Sequence, residues 1–122
     1  MRNTAKLATT ALTLAALFAG TSMLPGVAGA DDASITKGKE VAYDRKKGNC
    51  LACHMMGDGA SPGDIGPPLV AMQARFPDRA KLRAQIWDPM VNNPGTRMPA
   101  FGKYQALSDS EIDAIVDYLY TL

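Results

Sequence analysis

Cysteine and histidine are scarce in this chain. Its 122 residues contain two cysteines and one histidine, and all three lie in Cys50-Leu-Ala-Cys53-His54. A framework of several disulfides is therefore excluded, because only one pair of thiols exists. A closed zinc site is excluded as well, since it needs four ligands and there is no other cysteine or histidine to complete one.

An excess of charge of one sign is also lacking. The formal net charge is +1, which gives no indication of a nucleic-acid partner or of a polybasic membrane-binding surface. Long apolar runs are missing too. The apolar stretch at residues 7–19 is too short to span a bilayer comfortably, and no second stretch could do so.

The first thirty residues have the pattern of an export signal. The basic residues Arg2 and Lys6 precede the apolar stretch, and Ala28-Gly-Ala30 follows it as a small-residue cleavage site. We predict a signal peptide over residues 1–30, cleaved after Ala30, and a mature domain over residues 31–122 in the periplasm. An uncleaved anchor is the alternative.

The five residues that hold the cysteines and the histidine match C-x-x-C-H, the attachment signature of c-type haem. Positions three and four apart share one face of a helical turn, so Cys50, Cys53 and His54 can address one side of a flat macrocycle. A disulfide redox motif is the alternative, but the βαβ pattern that usually surrounds it is missing. We predict one covalent haem c, held by thioethers from both cysteines, with His54 as an axial iron ligand.

The rest of the chain predicts a small all-α domain with long loops. Asp78 can cap one helix, and Ser108 and Glu111 form a capping box at the start of another. Trp87 is expected in the core, with packing on the haem as an alternative. The predicted helices cover residues 34–47 (capped by Ser34 or Thr36), 69–75, 79–87 and 109 onward, and glycine- and proline-rich loops cover residues 55–68 and 89–106.

Haem iron has a second axial position. Ligation by two histidines of this chain is excluded, and methionine is the natural alternative. Met98, next to Pro99 in the second long loop, is the favoured ligand. Met90 and an open site remain as alternatives, and Met72 suits the core.

Two protein ligands on the iron would favour electron transfer over oxygen or peroxide chemistry. No catalytic dyad is predicted, because the carboxylates fall mostly on helix faces where solvation is expected. A rigid segment at Pro67 could offer a backbone carbonyl to the free ring N–H of His54. From the residues alone, a plain turn is the simpler explanation of that segment.

Taken in order, these motifs resemble class I cytochrome c over the whole mature chain: C-x-x-C-H, Gly66-Pro67-x-Leu69, Met98-Pro99 and an amphipathic C-terminal helix. The resemblance implies that the first and last helices cross. It also implies that the Pro67 carbonyl orients His54 and that Met98 is the distal iron ligand.

A closer likeness is to the SoxX family of small monohaem cytochromes. It is carried by the segments DIGPPL (64–69), RFPD (75–78), IWDP (86–89), TRMPAFG (96–102) and IVDYL (115–119). The resemblance implies a periplasmic SoxA partner in a SoxAX complex, which joins thiosulfate to a cysteine of the carrier SoxYZ (L-cysteine S-thiosulfotransferase). Within it, this chain would relay electrons to a downstream cytochrome and would hold no complete active site.

The alternative is a free, diffusible class I cytochrome c that shuttles electrons. A shuttle usually has a charged rim that steers its partners. The near-neutral mature chain therefore favours, mildly, a permanent partner in a complex.

Overall fold

The computed structural model describes residues 30–122. The predicted signal peptide lies outside these residues, apart from Ala30. Four α-helices form the domain: α1, Asp32–Tyr43; α2, Met72–Arg75; α3, Arg79–Trp87; and α4, Asp109–Leu119. Short 3₁₀ turns cover Cys50–Ala52 and Pro89–Val91. Within the described part the only β-type pairing is an isolated bridge between Met56 and Leu69, which confirms the predicted all-α class.

Helix α1 begins and ends earlier than predicted. The carboxylate of Asp31 accepts a hydrogen bond from the backbone N–H of Ser34 at 2.6 Å, so Asp31 is the N-cap in place of Ser34 or Thr36. The helix stops at Tyr43 because Asp44 is extended. The Asp44 carboxylate then accepts from the N–H of Lys46 at 2.8 Å, an Asx turn that competes with further helix.

Helices α1 and α4 pack across each other at the centre of the core. Gly38 of α1 lies directly against the backbone of Ala114 in α4. The Ser34 hydroxyl donates to the carboxylate of Asp117. The rings of Tyr43 and Tyr118 pack edge to face, with 6.1 Å between their centroids. The apolar stripe of α4 is buried as predicted, and its members are Ile112, Ile115, Val116 and Leu119.

Helix α3 is tied to α4 by arginines. The side chains of Asp109 and Asp113 stay at least half exposed, as expected of carboxylates on a helix face, whereas Asp117 does not. Arg83 reaches Asp109 and Asp113, with N···O distances of 2.6 Å to each. Arg79 lies 2.5 Å from Asp117, which is itself buried. Of these three carboxylates only Asp117 departs from the expected solvation, and its pair with Arg79 is the one that helps most to hold α3 against α4.

The start of α3 agrees with the prediction, whereas the start of α2 does not. Asp78 caps α3 by accepting from the N–H of Ala80 at 2.9 Å, as predicted. Helix α2 starts at Met72, three residues later than predicted, because Leu69 donates its N–H to Met55 at 2.8 Å and Ala71 has a left-handed φ of 50°. No helix in residues 30–122 has the length and hydropathy needed to cross a bilayer.

Candidate functional site

The C-x-x-C-H residues form a tight turn after α1. Asn49 adopts a left-handed conformation, φ 45°, which asparagine tolerates better than most residues. It redirects the chain into the 3₁₀ turn Cys50–Ala52. The carbonyl of Cys50 then accepts from the N–H groups of Cys53 at 3.1 Å and His54 at 2.9 Å. One turn therefore gathers both thiols and the imidazole.

The ring of His54 is held from the side by the proline segment. Its Nδ1 lies 2.7 Å from the carbonyl oxygen of Pro67, which fixes Nδ1 as the donor and leaves Nε2 free of that contact. The segment is itself braced, because Arg75 of α2 donates to the carbonyl of Pro68 at 2.7 Å. The sequence reasoning missed this role of Arg75, and no local pattern signals it.

Gly66 lets the imidazole lie flat against the backbone. A Cβ at this position would lie 2.3 Å from Cε1 and 2.5 Å from Nδ1 of His54, closer than real Cβ contacts allow. The N–H of Gly66 also donates to the carbonyl of Cys53 at 2.8 Å. The chain at Gly66 is therefore both hydrogen-bonded to the C-x-x-C-H turn and in close contact with its histidine.

A cavity of about 770 Å³ opens in front of this turn. Cys50, Cys53, His54 and Pro67 line one side of it, and Met98 also lines it. The wall is largely apolar and comes from α2, α3, α4 and the segments that flank them: Leu69, Met72, Phe76, Leu82, Ile86, Phe101, Leu107, Ile115 and Leu119. A cavity of this size and polarity is typical of a cofactor site.

The candidate methionines differ in position. Met98 is half-buried, and its backbone N–H is held by the Thr96 hydroxyl at 3.1 Å. Met72 also lines the cavity, but it is 2 % exposed in the core and its sulfur lies 3.6 Å from Nη1 of Arg75. Met90 is not among the described residues that line the cavity.

Trp87 lies elsewhere than predicted. It is 38 % exposed and packs on Gly102, and among the described residues it does not line the cavity. The expectation that Trp87 belongs to the core is wrong. The alternative, packing on a group in the cavity, is not supported either.

The thiols are free, with no disulfide between them. Burial raises the pKa of the Cys50 thiol to about 11, so this thiol is rarely ionised near neutral pH. No cluster of three His, Cys, Asp or Glu residues that could hold a metal ion is found in residues 30–122.

The arrangement fits a c-type haem. The thiols of Cys50 and Cys53 lie beside the oriented imidazole of His54, Met98 lines the same cavity, and the walls are largely apolar. No Asp or Glu from the described part of the chain lines the cavity. Five basic residues do: Arg45, Lys46, Lys47, Arg75 and Arg97. Such charges suit the propionates of a haem.

Similarity to known proteins agrees with this geometry. A chain in the crystal structure of SoxXA from P. pantotrophus superposes with a TM-score of 0.63 at 28% identity, covering 70% of this chain and 79% of that one. The predicted class I cytochrome c fold and the similarity to SoxX are thereby confirmed.

A curated relative, described as an "Uncharacterized lipoprotein" of Aquifex aeolicus (strain VF5), is 38% identical over 77 residues, or 62% of this chain. The match covers 37% of the relative's length. Residues 33–119 match the model of the family described as "Cytochrome C oxidase, cbb3-type, subunit III". The chain therefore belongs to that family of c-type cytochromes.

Proposed function

We propose that this chain is the electron-relay subunit of a periplasmic, thiosulfate-oxidising complex of the SoxAX type. The observation that carries the proposal is one apolar cavity lined by Cys50, Cys53, His54 and Met98, in a chain similar to one from SoxXA. Residues 1–30 are the cleaved export signal in this proposal, and residues 31–122 are the cytochrome domain.

One haem c would occupy the cavity. Cys50 and Cys53 would bind it through thioethers, and His54 and Met98 would bind its iron. Bound there, it supplies a reversible one-electron change at the iron. The Pro67 carbonyl, 2.7 Å from Nδ1, keeps the His54 ring in one tautomer and one orientation, which leaves Nε2 as the ring nitrogen that would bind the iron.

The second ligand decides the class of reaction. If both His54 and Met98 bind the iron, a substrate could reach it only by displacing one of these side chains. The largely apolar lining would limit the water around a bound haem, and with it the solvent reorganisation that accompanies a change of charge. These features support electron transfer in preference to chemistry on a bound substrate.

The chain supplies no catalytic group of its own in this proposal. Both cysteines would be committed to the haem, and the α4 carboxylates are paired, Asp109, Asp113 and Asp117 with arginines of α3 and Glu111 with Lys47. A SoxA-type subunit would therefore hold the active site that joins thiosulfate to the SoxYZ carrier cysteine. Electrons would pass from that subunit through this chain to a downstream cytochrome.

A free electron shuttle is the second candidate. The basic residues around the cavity favour it, because a charged rim steers transient redox encounters. Arg97 and Arg45 are exposed members of that rim. The salt dependence of partner binding distinguishes the two candidate functions. Ionic screening weakens an electrostatically steered encounter far more than it weakens a large packed interface.

The experiment is a co-purification. The full-length chain, tagged at its C-terminus, is expressed in its own host grown on thiosulfate and purified at low and at high salt. A second cytochrome that stays bound at both salt concentrations, with thiosulfate-dependent reduction of this haem when the carrier protein is added, is the expected result. A monomeric cytochrome that neither thiosulfate nor the periplasmic extract reduces would overturn the complex and leave the shuttle.

A further inference from the structure

The segment that carries Met98 leaves and returns to the same point, the end of α3. On the way out, the N–H of Asn93 donates to the carbonyl of Pro89 at 3.0 Å. On the way back, the N–H groups of Gly102 and Lys103 both donate to the carbonyl of Trp87 at 3.2 Å. Residues 93–102, here called the Met98 loop, are therefore closed at their base.

The side chain of Asp88 lies at that base. Asp88 is only 6 % exposed, and a buried carboxylate is costly unless it is paired. Its Oδ2 lies 2.8 Å from Nζ of Lys103, and its Oδ1 accepts from the N–H of Met90 at 3.2 Å. One carboxylate thus joins the outgoing and the returning chain.

A packing contact adds to this link. The indole of Trp87 covers Gly102 so closely that a Cβ there would lie 1.9 Å from its Cδ1. Phe101, the neighbour of Gly102, is buried and lines the cavity. The contact between Trp87 and Gly102 therefore connects the base of the loop to the wall of the site.

We propose that Asp88 and Lys103, with the Trp87–Gly102 contact, form a clasp that positions Met98 in the cavity and keeps external ligands out. The inference rests on the proposed function, in which Met98 is an axial ligand. None of the four residues belongs to the proposed set of haem ligands. Asp88 and Lys103 are positioning residues that act through Met98.

The physical reason is the entropy of the loop. With the clasp closed, the loop has few conformations, and its thioether stays near one place. Opening the clasp frees the ends and lets the loop sample more states. The fraction of molecules with Met98 in place then falls, and a competing ligand binds more tightly by the same factor.

The test uses the oxidised holo-protein and imidazole as the competing ligand. Binding is followed by the visible spectrum in Lys103→Gln, which keeps the size of a long polar side chain and removes the charge. Loss of the positive charge opposite a buried carboxylate predicts imidazole binding about tenfold tighter than in the parent. Gly102→Ala, which displaces Trp87, is a second variant with the same expected direction.

Lys39→Gln is the matched control. Lys39 also pairs with an aspartate, Asp58, at 2.9 Å, but it does not line the cavity and does not touch the Met98 loop. Its imidazole affinity should equal that of the parent. An equal gain in Lys39→Gln and Lys103→Gln would overturn the clasp, because any lost ion pair would then have the same effect.

A double variant separates the clasp from the ligand assignment. In a Met98→Ala background, Lys103→Gln should add nothing to imidazole affinity; a full tenfold gain there would overturn the positioning role. If Met98→Ala alone changes neither spectrum nor affinity, the ligand assignment fails. Hydrogen exchange of the Met98 loop, at its residues other than Pro94 and Pro99, then tests the clasp: faster exchange in Lys103→Gln supports it, and unchanged exchange overturns it.

Discussion

Gly38 of α1 lies directly over the backbone of Ala114 in α4. A Cβ at Gly38 would lie 1.9 Å from the Ala114 carbonyl oxygen and 2.5 Å from its carbonyl carbon. Since that oxygen belongs to a helix backbone, it cannot move aside as a flexible side chain could. The absence of a side chain at Gly38 therefore sets the distance at which the two helices cross.

Gly38→Ala should destabilise the protein. In an open helix, alanine is favoured over glycine by about 1 kcal/mol, so a gain would be expected if the position faced solvent. Here the added methyl forces the helices apart, and we expect a net loss of about 2 kcal/mol or more in the free energy of unfolding. Denaturant unfolding of the holo-protein measures it.

Lys37→Ala is the control for Gly38→Ala. It changes the neighbouring exposed residue, whose pairing with Glu40 at 3.7 Å is a surface contact of small value. We expect little change in stability. Higher stability in Gly38→Ala than in the parent would show that the close contact does not exist.

Gly66→Ala should disturb the proximal histidine. The new Cβ would overlap the imidazole of His54, whose three ring atoms Cε1, Nδ1 and Nε2 all lie within 2.8 Å of it. The ring must shift, and its contact with Pro67 is lost. We expect less haem incorporated per chain and a changed reduction potential in what is incorporated, measured by haem staining and redox titration.

Gly95→Ala is the matched control for that change. It makes the same substitution in another residue that lines the cavity, but the new Cβ would meet only Asn93 Oδ1, at 3.8 Å. Haem content and potential should stay those of the parent. Normal haem content and potential in Gly66→Ala would contradict a role for the His54–Pro67 contact.

The parts of the fold that the sequence predicted are those with local signals. The caps at Asp78 and Ser108 set the starts of α3 and α4, because a capping side chain bonds to N–H groups two or three residues away. The cysteines and the histidine were found because their chemistry requires a fixed spacing. The all-α class followed from these elements.

The parts that the sequence could not predict depend on distant contacts. Ser34 is a reasonable cap by its type, yet its hydroxyl bonds to Asp117, 83 positions away, while Asp31 caps the helix. Lys103 reaches back 15 positions to Asp88, and no periodicity connects them. Pairings of this kind depend on how α3 and the loops pack, which a single sequence does not specify.

Met98→Ala tests the distal ligand. The thioethers of Cys50 and Cys53 do not depend on residue 98, so the haem should remain attached. Without the Met98 sulfur, the reduction potential should fall or the iron should bind external ligands, since methionine ligation raises the potential. Redox titration and the visible spectrum measure both effects. An unchanged spectrum and potential would rule out Met98, and Met72→Ala would then be the next variant, because Met72 also lines the cavity.

Glu111 makes the stability of the protein depend on pH. Its carboxylate pairs with Lys47 and accepts from the N–H of Ser108 at 3.0 Å. The pairing with Lys47, followed by the contacts with Ser108, lowers the pKa of Glu111 from 4.5 to about 2. Because the folded state has the lower pKa, the ionised carboxylate stabilises the fold above pH 4.5, and this contribution is lost as the pH falls toward 2.

Glu111→Gln should therefore flatten the acid side of the stability curve. The variant should be less stable than the parent at pH 6, because the pair with Lys47 and the charged half of the capping box are gone. As the pH falls from 4.5 toward 2 the two curves should converge, since the carboxylate is protonated first in the unfolded state and, by about pH 2, in the folded state as well. Denaturant unfolding at a series of pH values measures this, with Glu40→Gln on the exposed face of α1 reporting the general effect of removing one carboxylate. A constant gap between parent and Glu111→Gln from pH 6 to pH 2 would mean that the carboxylate acts through its shape, and that its charge contributes nothing to stability.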